Sequence, residues 1–103
     1  MDKEDILRGY DIDGVLTAGV KPEGRFVVIS GRTFAEYDDF AKRAASVAPV
    51  YIRGVGPYGD QFLAGAFKAS MINILKVDEF HEDDPIQIEI IRQCCPNCSV
   101  VKE

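Results

Sequence analysis

The sequence lacks several features that would assign it to a large functional class. It has no excess of positive charge, because 17 acidic and 12 basic side chains give a net charge of −5. Such a surface does not attract polyanions at long range, so we expect no extended nucleic-acid groove. No apolar run approaches the roughly 18 residues of a membrane span, and the first five residues are too polar for a secretion signal. We therefore expect a cytoplasmic protein without a membrane segment.

Cysteine is scarce, and its three copies fall in one C-terminal run, at Cys94, Cys95 and Cys98. An odd, clustered count does not indicate a secreted disulfide framework. The CxxC spacing of Cys95 and Cys98 is also found in redox pairs and in half-sites for zinc. The only histidine, His81, has no second CxxC to accompany it, and we expect it to pack at a strand end. The favoured interpretation is reduced, inert thiols, with a metal site and a redox pair as the alternatives.

Strand and helix patterns alternate along a chain of 103 residues, a length that indicates one domain, residues 1–103. Strands joined by helical crossovers predict a three-layer, Rossmann-like α/β fold with a five-stranded, mostly parallel sheet. Thr33 and Glu36 form a capping box, which predicts a helix over residues 33–46 with Phe34, Tyr37 and Phe40 in the core. The predicted strands are residues 6–10, 25–29, 49–53, 77–81 and 99–101, and the other predicted helices are residues 61–76 and 85–94.

Polar side chains lie at or just after the ends of the predicted strands, at the edge where ligands bind to parallel sheets. Asp11 and Asp13 share one short turn, so that one carboxylate can attack a phosphate while the other handles the proton of the leaving group. Because carboxylates repel a dianionic phosphate, a divalent cation is needed, and Mg²⁺ suits this role. The other polar residues at this edge are Ser30, Arg53, Glu82, Asp83 and Asp84.

Four segments resemble, in order along the chain, the four motifs of the haloacid dehalogenase (HAD) superfamily. They are DIDGVLT at 11–17, VVISGR at 27–32, FKA at 67–69 and FHEDD at 80–84. Each motif alone is weak to moderate evidence, but together they cover nearly the whole chain. The resemblance implies an HAD-like fold and a phosphoric monoester hydrolase that forms an aspartyl-phosphate.

The resemblance also implies a role for each matched residue. Asp11 is the expected nucleophile, and Asp13 the expected general acid and then base. Ser30, Gly31 and Lys68 are expected to hold the transferring phosphoryl group, with Lys68 favoured over Lys76 by its position. The expected ligands of Mg²⁺ are Asp11, Asp83 and the backbone carbonyl of Asp13, with Glu82, Asp84 or Arg32 in a supporting role.

The chain is too short for the cap domain of many HAD relatives, since no cap fits between Leu16 and the second strand or between Arg53 and Lys68. An open site favours large or protruding substrates, or a cap supplied by another subunit. The expected substrate is a phosphorylated small molecule or a nucleic-acid end. The segment 82–84 is similar to the acidic signature of polynucleotide 3′-phosphatases, although Asp84 stands where a basic residue is common. The helix that many relatives have after the first motif does not fit in this chain. Its absence would leave one face of the sheet uncovered, which would favour a homo-oligomer.

Two other functions are compatible with the sequence. One is a binding or regulatory module that keeps the acidic Mg²⁺ pocket but turns over little. The other is a receiver-type phosphoacceptor domain, which is less favoured because its phosphoacceptor would lie on a later strand than its acid pair. Arg53 and Tyr58 are further candidates for substrate contacts, and a structural role is favoured for each.

Overall fold

The computed structural model describes residues 5–103, in which five parallel strands form one sheet in the order β3-β2-β1-β4-β5. The predicted α/β class with a five-stranded parallel sheet is therefore confirmed. The strands are β1 Arg8–Tyr10, β2 Phe26–Thr33, β3 Val50–Gly54, β4 Glu79–Glu82 and β5 Ser99–Lys102. The α-helices of this part of the chain are α1 Asp39–Ala45, α2 Gln61–Leu75 and α3 Pro85–Cys94.

Strand β1 lies at the centre of the sheet, where the strand order reverses. Its last residue, Tyr10, pairs with Val28 of β2 on one side and with His81 of β4 on the other. The chain runs from β1 through β2 to β3 at one edge, and then returns to β4 on the far side of β1. In open parallel sheets, ligands bind beyond the strand ends at such a reversal. This topology places the expected binding crevice between the ends of β1 and β4.

Helices α2 and α3 cover one face of the sheet. Val27 and Ile29 of β2 and Phe80 of β4 point into this layer, where they pack with Ile72 of α2 and Ile91 of α3. These five side chains are at most 6% exposed. Their burial removes apolar surface from water, which is the main favourable contribution to folding.

The opposite face has thinner cover, because α1 spans only seven residues. Val28 and Ala41 are buried there, beside the half-buried Phe40. An apolar cavity of about 300 Å³ remains, lined by Phe40, Phe26 and the exposed Val47 among others. The homo-oligomer expected from a bare sheet face stays a prediction.

The single helix predicted over residues 33–46 is wrong in extent. The capping box forms, since the Glu36 carboxylate accepts hydrogen bonds from the Thr33 amide at 2.9 Å and from its hydroxyl at 3.0 Å. It starts only a 3₁₀ turn, Phe34–Glu36, and Asp38 then caps α1 by accepting from the Ala41 amide at 3.0 Å. The helix stops here because Tyr37 leaves the helical region, with ψ at 80°. The Glu36 carbonyl instead accepts from the Asp38 amide at 3.0 Å and from Arg32 Nη1 at 3.1 Å.

The predicted core positions on this segment are corrected accordingly. Phe34 is 70% exposed and Tyr37 is 36% exposed, so neither belongs to the core. Only Phe40, which falls on α1, packs against the buried cluster of the second face. The bend at Tyr37 and Asp38 interrupts the helical spacing of these aromatic residues.

The three cysteines are unpaired, with Cys94 exposed and Cys95 buried. Burial, reinforced by Cys95 and Asp78, raises the pKa of Cys98 to about 12, which agrees with the interpretation as inert thiols. Within residues 5–103, no helix is long and apolar enough to span a membrane.

Candidate active site

A cavity of about 440 Å³ opens at the carboxyl ends of the strands, at the reversal point of the sheet. Most of the residues predicted for the site line it. The two exceptions among the predicted residues are Ser30 and Glu82, which do not line the cavity and are completely buried beside it. The predicted residues in the lining are Asp11, Asp13, Gly31, Arg32, Lys68, Asp83 and Asp84.

Asp11 joins the two strands at the reversal point. Asp11 directly follows β1, and its backbone amide donates to the carbonyl of His81 on the neighbouring strand β4 at 3.1 Å. Its side chain is 6% exposed, and Oδ1 accepts from the Ile12 amide at 2.8 Å. The chain then makes a short helical turn, Ile12–Leu16, with Gly14 at a φ of +77°. The carboxylate is therefore held in a buried position at the strand end.

Lys68 reaches this carboxylate from the buried side of α2. Its side chain is 1% exposed, and Nζ lies 3.1 Å from Asp11 Oδ1 and 2.5 Å from Glu82 Oε1. Nζ also donates to Gln87 Oε1 at 2.5 Å. The three acceptors match the three N–H groups of the ammonium. Lys76, the alternative from the sequence, is exposed and ends α2 in a left-handed conformation.

The buried cluster holds two carboxyl groups but only one ammonium. Burial raises the pKa of Asp11, and Lys68 opposes this effect. Burial and the charge of Asp11 raise the pKa of Glu82 to about 8. Burial alone would lower the pKa of Lys68, but the charges of Asp11 and Glu82 outweigh it, so this pKa is raised. A pKa of about 8 means that Glu82 largely keeps its proton at neutral pH, and a bound cation would favour ionisation of both carboxyl groups.

Three acidic side chains converge closely enough to bind a divalent cation. Ligand oxygens of Asp11, Glu82 and Asp83 all lie within 4.8 Å of one another. Around Mg²⁺, with bonds of about 2.1 Å, opposite ligand oxygens are roughly 4.2 Å apart, and oxygen is the preferred donor. The residues present therefore fit such an ion after small movements of the side chains.

Gly14 allows Asp83 to approach the turn after β1. A Cβ atom built at Gly14 would lie 2.0 Å from Asp83 Oδ2, and the φ of +77° is also unfavourable for other residues. Gly14, in the segment 11–17, and Asp83, in the segment 80–84, are thus in direct contact.

The structure distinguishes between the two candidate supporting acids. Glu82 joins the acidic cluster, and its Oε2 accepts from the amides of Asp83 at 3.1 Å and Asp84 at 3.3 Å. Asp84 instead caps α3, where its Oδ1 accepts from the Gln87 amide at 2.9 Å. Asp84 is therefore occupied in starting a helix, although it lines the cavity.

Asp13 lies apart from the acidic cluster and is bound by Arg32. Nε and Nη2 of Arg32 donate to the two Asp13 oxygens at 3.0 and 2.8 Å, and Nη1 donates to Asp38 at 2.8 Å. Hydrogen bonds from Arg32 to Asp13 raise the pKa of Arg32 further. The Asp13 side chain is 62% exposed, so it lies at the mouth of the cavity. Its carbonyl as a metal ligand stays a prediction.

Ser30 and Gly31 end the regular part of β2 beside α2. Ser30 Oγ accepts from the Arg32 amide at 3.1 Å. A Cβ atom at Gly31 would lie 2.7 Å from the Ala64 Cβ, so the glycine lets the first turn of α2 approach the sheet. Asp60 starts that turn by accepting from the Leu63 amide at 3.0 Å. This close contact brings Lys68, one turn further along, next to Asp11.

The sequence interpretation missed Gln87. Its Oε1 accepts from Lys68, while its Nε2 donates to Gln61 Oε1 at the start of α2. Gln87 is 6% exposed and lies next to the buried positions of α3, Ile88 and Ile91. A glutamine at a buried position next to an apolar stripe is the signal that could have identified it.

No family model, curated protein or solved structure matches this chain. The functional interpretation therefore depends on the motifs and on the geometry described above.

Proposed function

We propose that this protein is a capless phosphatase of HAD type, which hydrolyses a phosphomonoester through an aspartyl-phosphate on Asp11 with the help of Mg²⁺. One observation carries the proposal: Asp11 lies 3.1 Å from the Lys68 ammonium and within 4.8 Å of two further acids, Glu82 and Asp83. A buried carboxylate with an adjacent cation and a divalent-ion site is the combination that phosphoryl transfer to a carboxylate requires.

The first step forms a bond between an oxygen of Asp11 and phosphorus, and breaks the ester bond. Asp13 gives its proton to the departing alcohol. In the second step Asp13 takes a proton from water, whose oxygen attacks phosphorus, and the Asp11 carboxylate leaves. The products are the alcohol and inorganic phosphate, and both aspartates return to their starting states.

Lys68 has two functions in this scheme. Its charge opposes the effect of burial on the pKa of Asp11 and so favours the ionised, nucleophilic form. It also faces the cavity, where it offsets negative charge on the phosphoryl oxygens. Asp11, Glu82 and Asp83 would hold Mg²⁺, which supplies charge neutralisation between the nucleophile and the phosphate.

The bidentate bond between Arg32 and Asp13 favours the second candidate, a binding or regulatory module. An ionised Asp13 that stays bound to Arg32 cannot protonate a leaving group. Turnover requires that a substrate, by entering the cavity, separates this pair. Asp13 is the partner that can move, because its side chain is 62% exposed whereas that of Arg32 is 9% exposed.

Hydrolysis of 4-nitrophenyl phosphate by the purified protein tests the proposal. We expect Mg²⁺-dependent release of nitrophenol that EDTA stops and Asp11→Asn abolishes. Asp39→Asn, an exposed residue of α1, is the matched control and should retain full activity. Circular dichroism melts confirm that each variant is folded.

Two results would count against the enzyme. Equal activity in Asp11→Asn would show that the hydrolysis does not come from this site. An inactive protein that Mg²⁺ nevertheless stabilises against thermal unfolding would support the binding module instead.

A further inference from the structure

The cavity has a second wall that the proposed chemistry does not use. It is formed by the loop of residues 55–60, between β3 and α2, which contributes Tyr58 and Asp60 to the lining. The phosphate-side residues Asp11, Lys68 and Asp83 belong to other elements of the same cavity. The loop therefore faces whatever part of a substrate extends away from its phosphate.

The loop is held in place by Arg53, at the end of β3. Nη1 of Arg53 donates to the Val55 carbonyl at 2.6 Å, Nη2 to the Pro57 carbonyl at 2.8 Å, and Nε to the Gly31 carbonyl at 3.2 Å. The loop wraps tightly around the guanidinium, because a Cβ atom at Gly56 would lie 2.5 Å from Nη1. A loop fixed in this way presents its side chains with little entropic cost on binding.

Tyr58 is the side chain that this loop offers to a ligand. It is 81% exposed although it lines the cavity, and within residues 5–103 its ring has no hydrogen bond or ring contact. An aromatic ring gains stability by stacking on a planar partner, at little conformational cost.

The wall carries one acidic side chain, Asp60, which accepts from the Leu63 amide at the start of α2, and one basic side chain, Arg53. Arg53 binds backbone carbonyls, and among the described residues it forms no ion pair with a carboxylate. Its positive charge is therefore not neutralised by an acid, and it lines the cavity beside Tyr58. This charge partly offsets the repulsion between a phosphomonoester and the acidic side of the site.

The volume leaves room for more than a phosphate. At about 30 Å³ for each water-sized group, a phosphate takes up roughly 150 Å³, while the cavity measures about 440 Å³. Cavities of this size bind small organic molecules.

We infer that the substrate is a small phosphomonoester with a planar aromatic ring, which stacks on Tyr58 while the phosphate lies at Asp11. This inference rests on the proposed function for the position of the phosphate. A nucleoside monophosphate and an aryl phosphate both have this chemistry.

Two matched pairs of ligands isolate the contribution of the ring. Adenosine 5′-monophosphate and ribose 5-phosphate differ by the base, and phosphotyrosine and phosphoserine differ by the aryl group. Calorimetric titration uses the Asp11→Asn protein with Mg²⁺, so that the measurement does not depend on turnover. Stacking of one ring on Tyr58 should strengthen binding by at least about fivefold within a pair, and the pair with the larger ratio identifies the source of the ring.

Variants then test whether Tyr58 is responsible. In the Asp11→Asn background, Tyr58→Ala should reduce the ratio to about one, and Tyr58→Phe should preserve it, because the ring remains. The exposure of Tyr58 makes misfolding of these variants unexpected. Phe62→Ala is the matched control, since Phe62 is 67% exposed but does not line the cavity.

The outcomes separate this inference from the proposed function. Equal affinity within both pairs, absence of binding, or a ratio that survives Tyr58→Ala would overturn the inference, even if wild-type protein hydrolyses phosphate esters. A ring preference that depends on Tyr58 supports stacking of the ring at this wall. If the wild-type protein also hydrolyses none of the four compounds, the phosphatase proposal alone fails, and the aromatic phosphomonoester is a ligand rather than a substrate.

Discussion

The two sides of the cavity differ in how their charged groups are held. On the β1 and β4 side, Lys68 and Glu82 are at most 1% exposed, and Lys68 contacts both Glu82 and Asp11 directly. On the β2 side, the Arg32 side chain is 9% exposed, but the two carboxylates that it binds, Asp13 and Asp38, are 62% and 57% exposed. Buried charges without partners are costly, whereas exposed pairs are screened by water.

This difference indicates a division of function within one site. In the proposed mechanism, the buried side sets the position and ionisation of Asp11. On the other side, the exposed Asp13 can move, as the proposed proton transfer requires. Three substitutions test this division, from the largest expected effect to the smallest.

Replacing the buried ammonium should have the largest effect. Lys68→Met keeps a similar side-chain length but leaves Asp11 and Glu82 without their cation, so we expect a loss of about 3 to 5 kcal/mol in the free energy of unfolding. Urea denaturation monitored by circular dichroism measures this loss. Lys42→Met on the exposed side of α1 is the control, with an expected change within about 0.5 kcal/mol. A loss below about 1 kcal/mol for Lys68→Met would contradict the assignment of a charged, buried cluster.

Gly14→Ala tests the contact between the two acidic segments. The added methyl group would meet Asp83 at 2.0 Å, so Asp83 must move, and the strained backbone adds about 1 kcal/mol or more. We expect a loss of about 2 to 3 kcal/mol in the free energy of unfolding. Stabilisation by Mg²⁺, measured as the shift of the thermal midpoint, should fall as well.

Gly19→Ala is the matched control for that variant. Gly19 has a φ of +96°, but a Cβ atom placed on it would have nothing within 4 Å, so this variant reports the backbone strain alone. Equal losses of stability in both variants, with the same Mg²⁺ shift, would show that the Asp83 contact does not position the metal site.

Changing the ion pair between Arg32 and Asp13 should have the smallest effect. Arg32→Lys keeps the charge but cannot form the bidentate bond to Asp13. We expect a loss of about 1 to 2 kcal/mol in the free energy of unfolding, because Arg32 is 9% exposed while both of its carboxylate partners stay in contact with water. The same urea experiment measures it. If Arg32→Lys lost as much free energy of unfolding as Lys68→Met, the two sides of the cavity would not differ in how strongly their charged groups stabilise the fold.

Much of the fold could be predicted because it depends on local patterns. The run Val27 to Ile29 is apolar without alternation, as expected for a strand covered on both faces, and the Pro85 helix begins where predicted. The helix over residues 33–46 was predicted wrongly, since the capping box at Thr33 does not show that the chain bends at Tyr37 and starts a second helix at Asp38, where Arg32 also binds. Gln87 was missed because nothing in the sequence shows that Lys68 points toward it.

The sequence by itself determined which polar groups follow the strands, and hence that Asp11, Asp13 and the acids of residues 82–84 meet at one edge of the sheet. Parallel pairing makes this unavoidable, because every strand ends at the same side. Only the tertiary structure decided that Glu82 is buried beside Asp11, that Asp84 caps a helix, and that Asp13 binds Arg32. These differences depend on side-chain direction and on distant packing partners, which residue order does not specify.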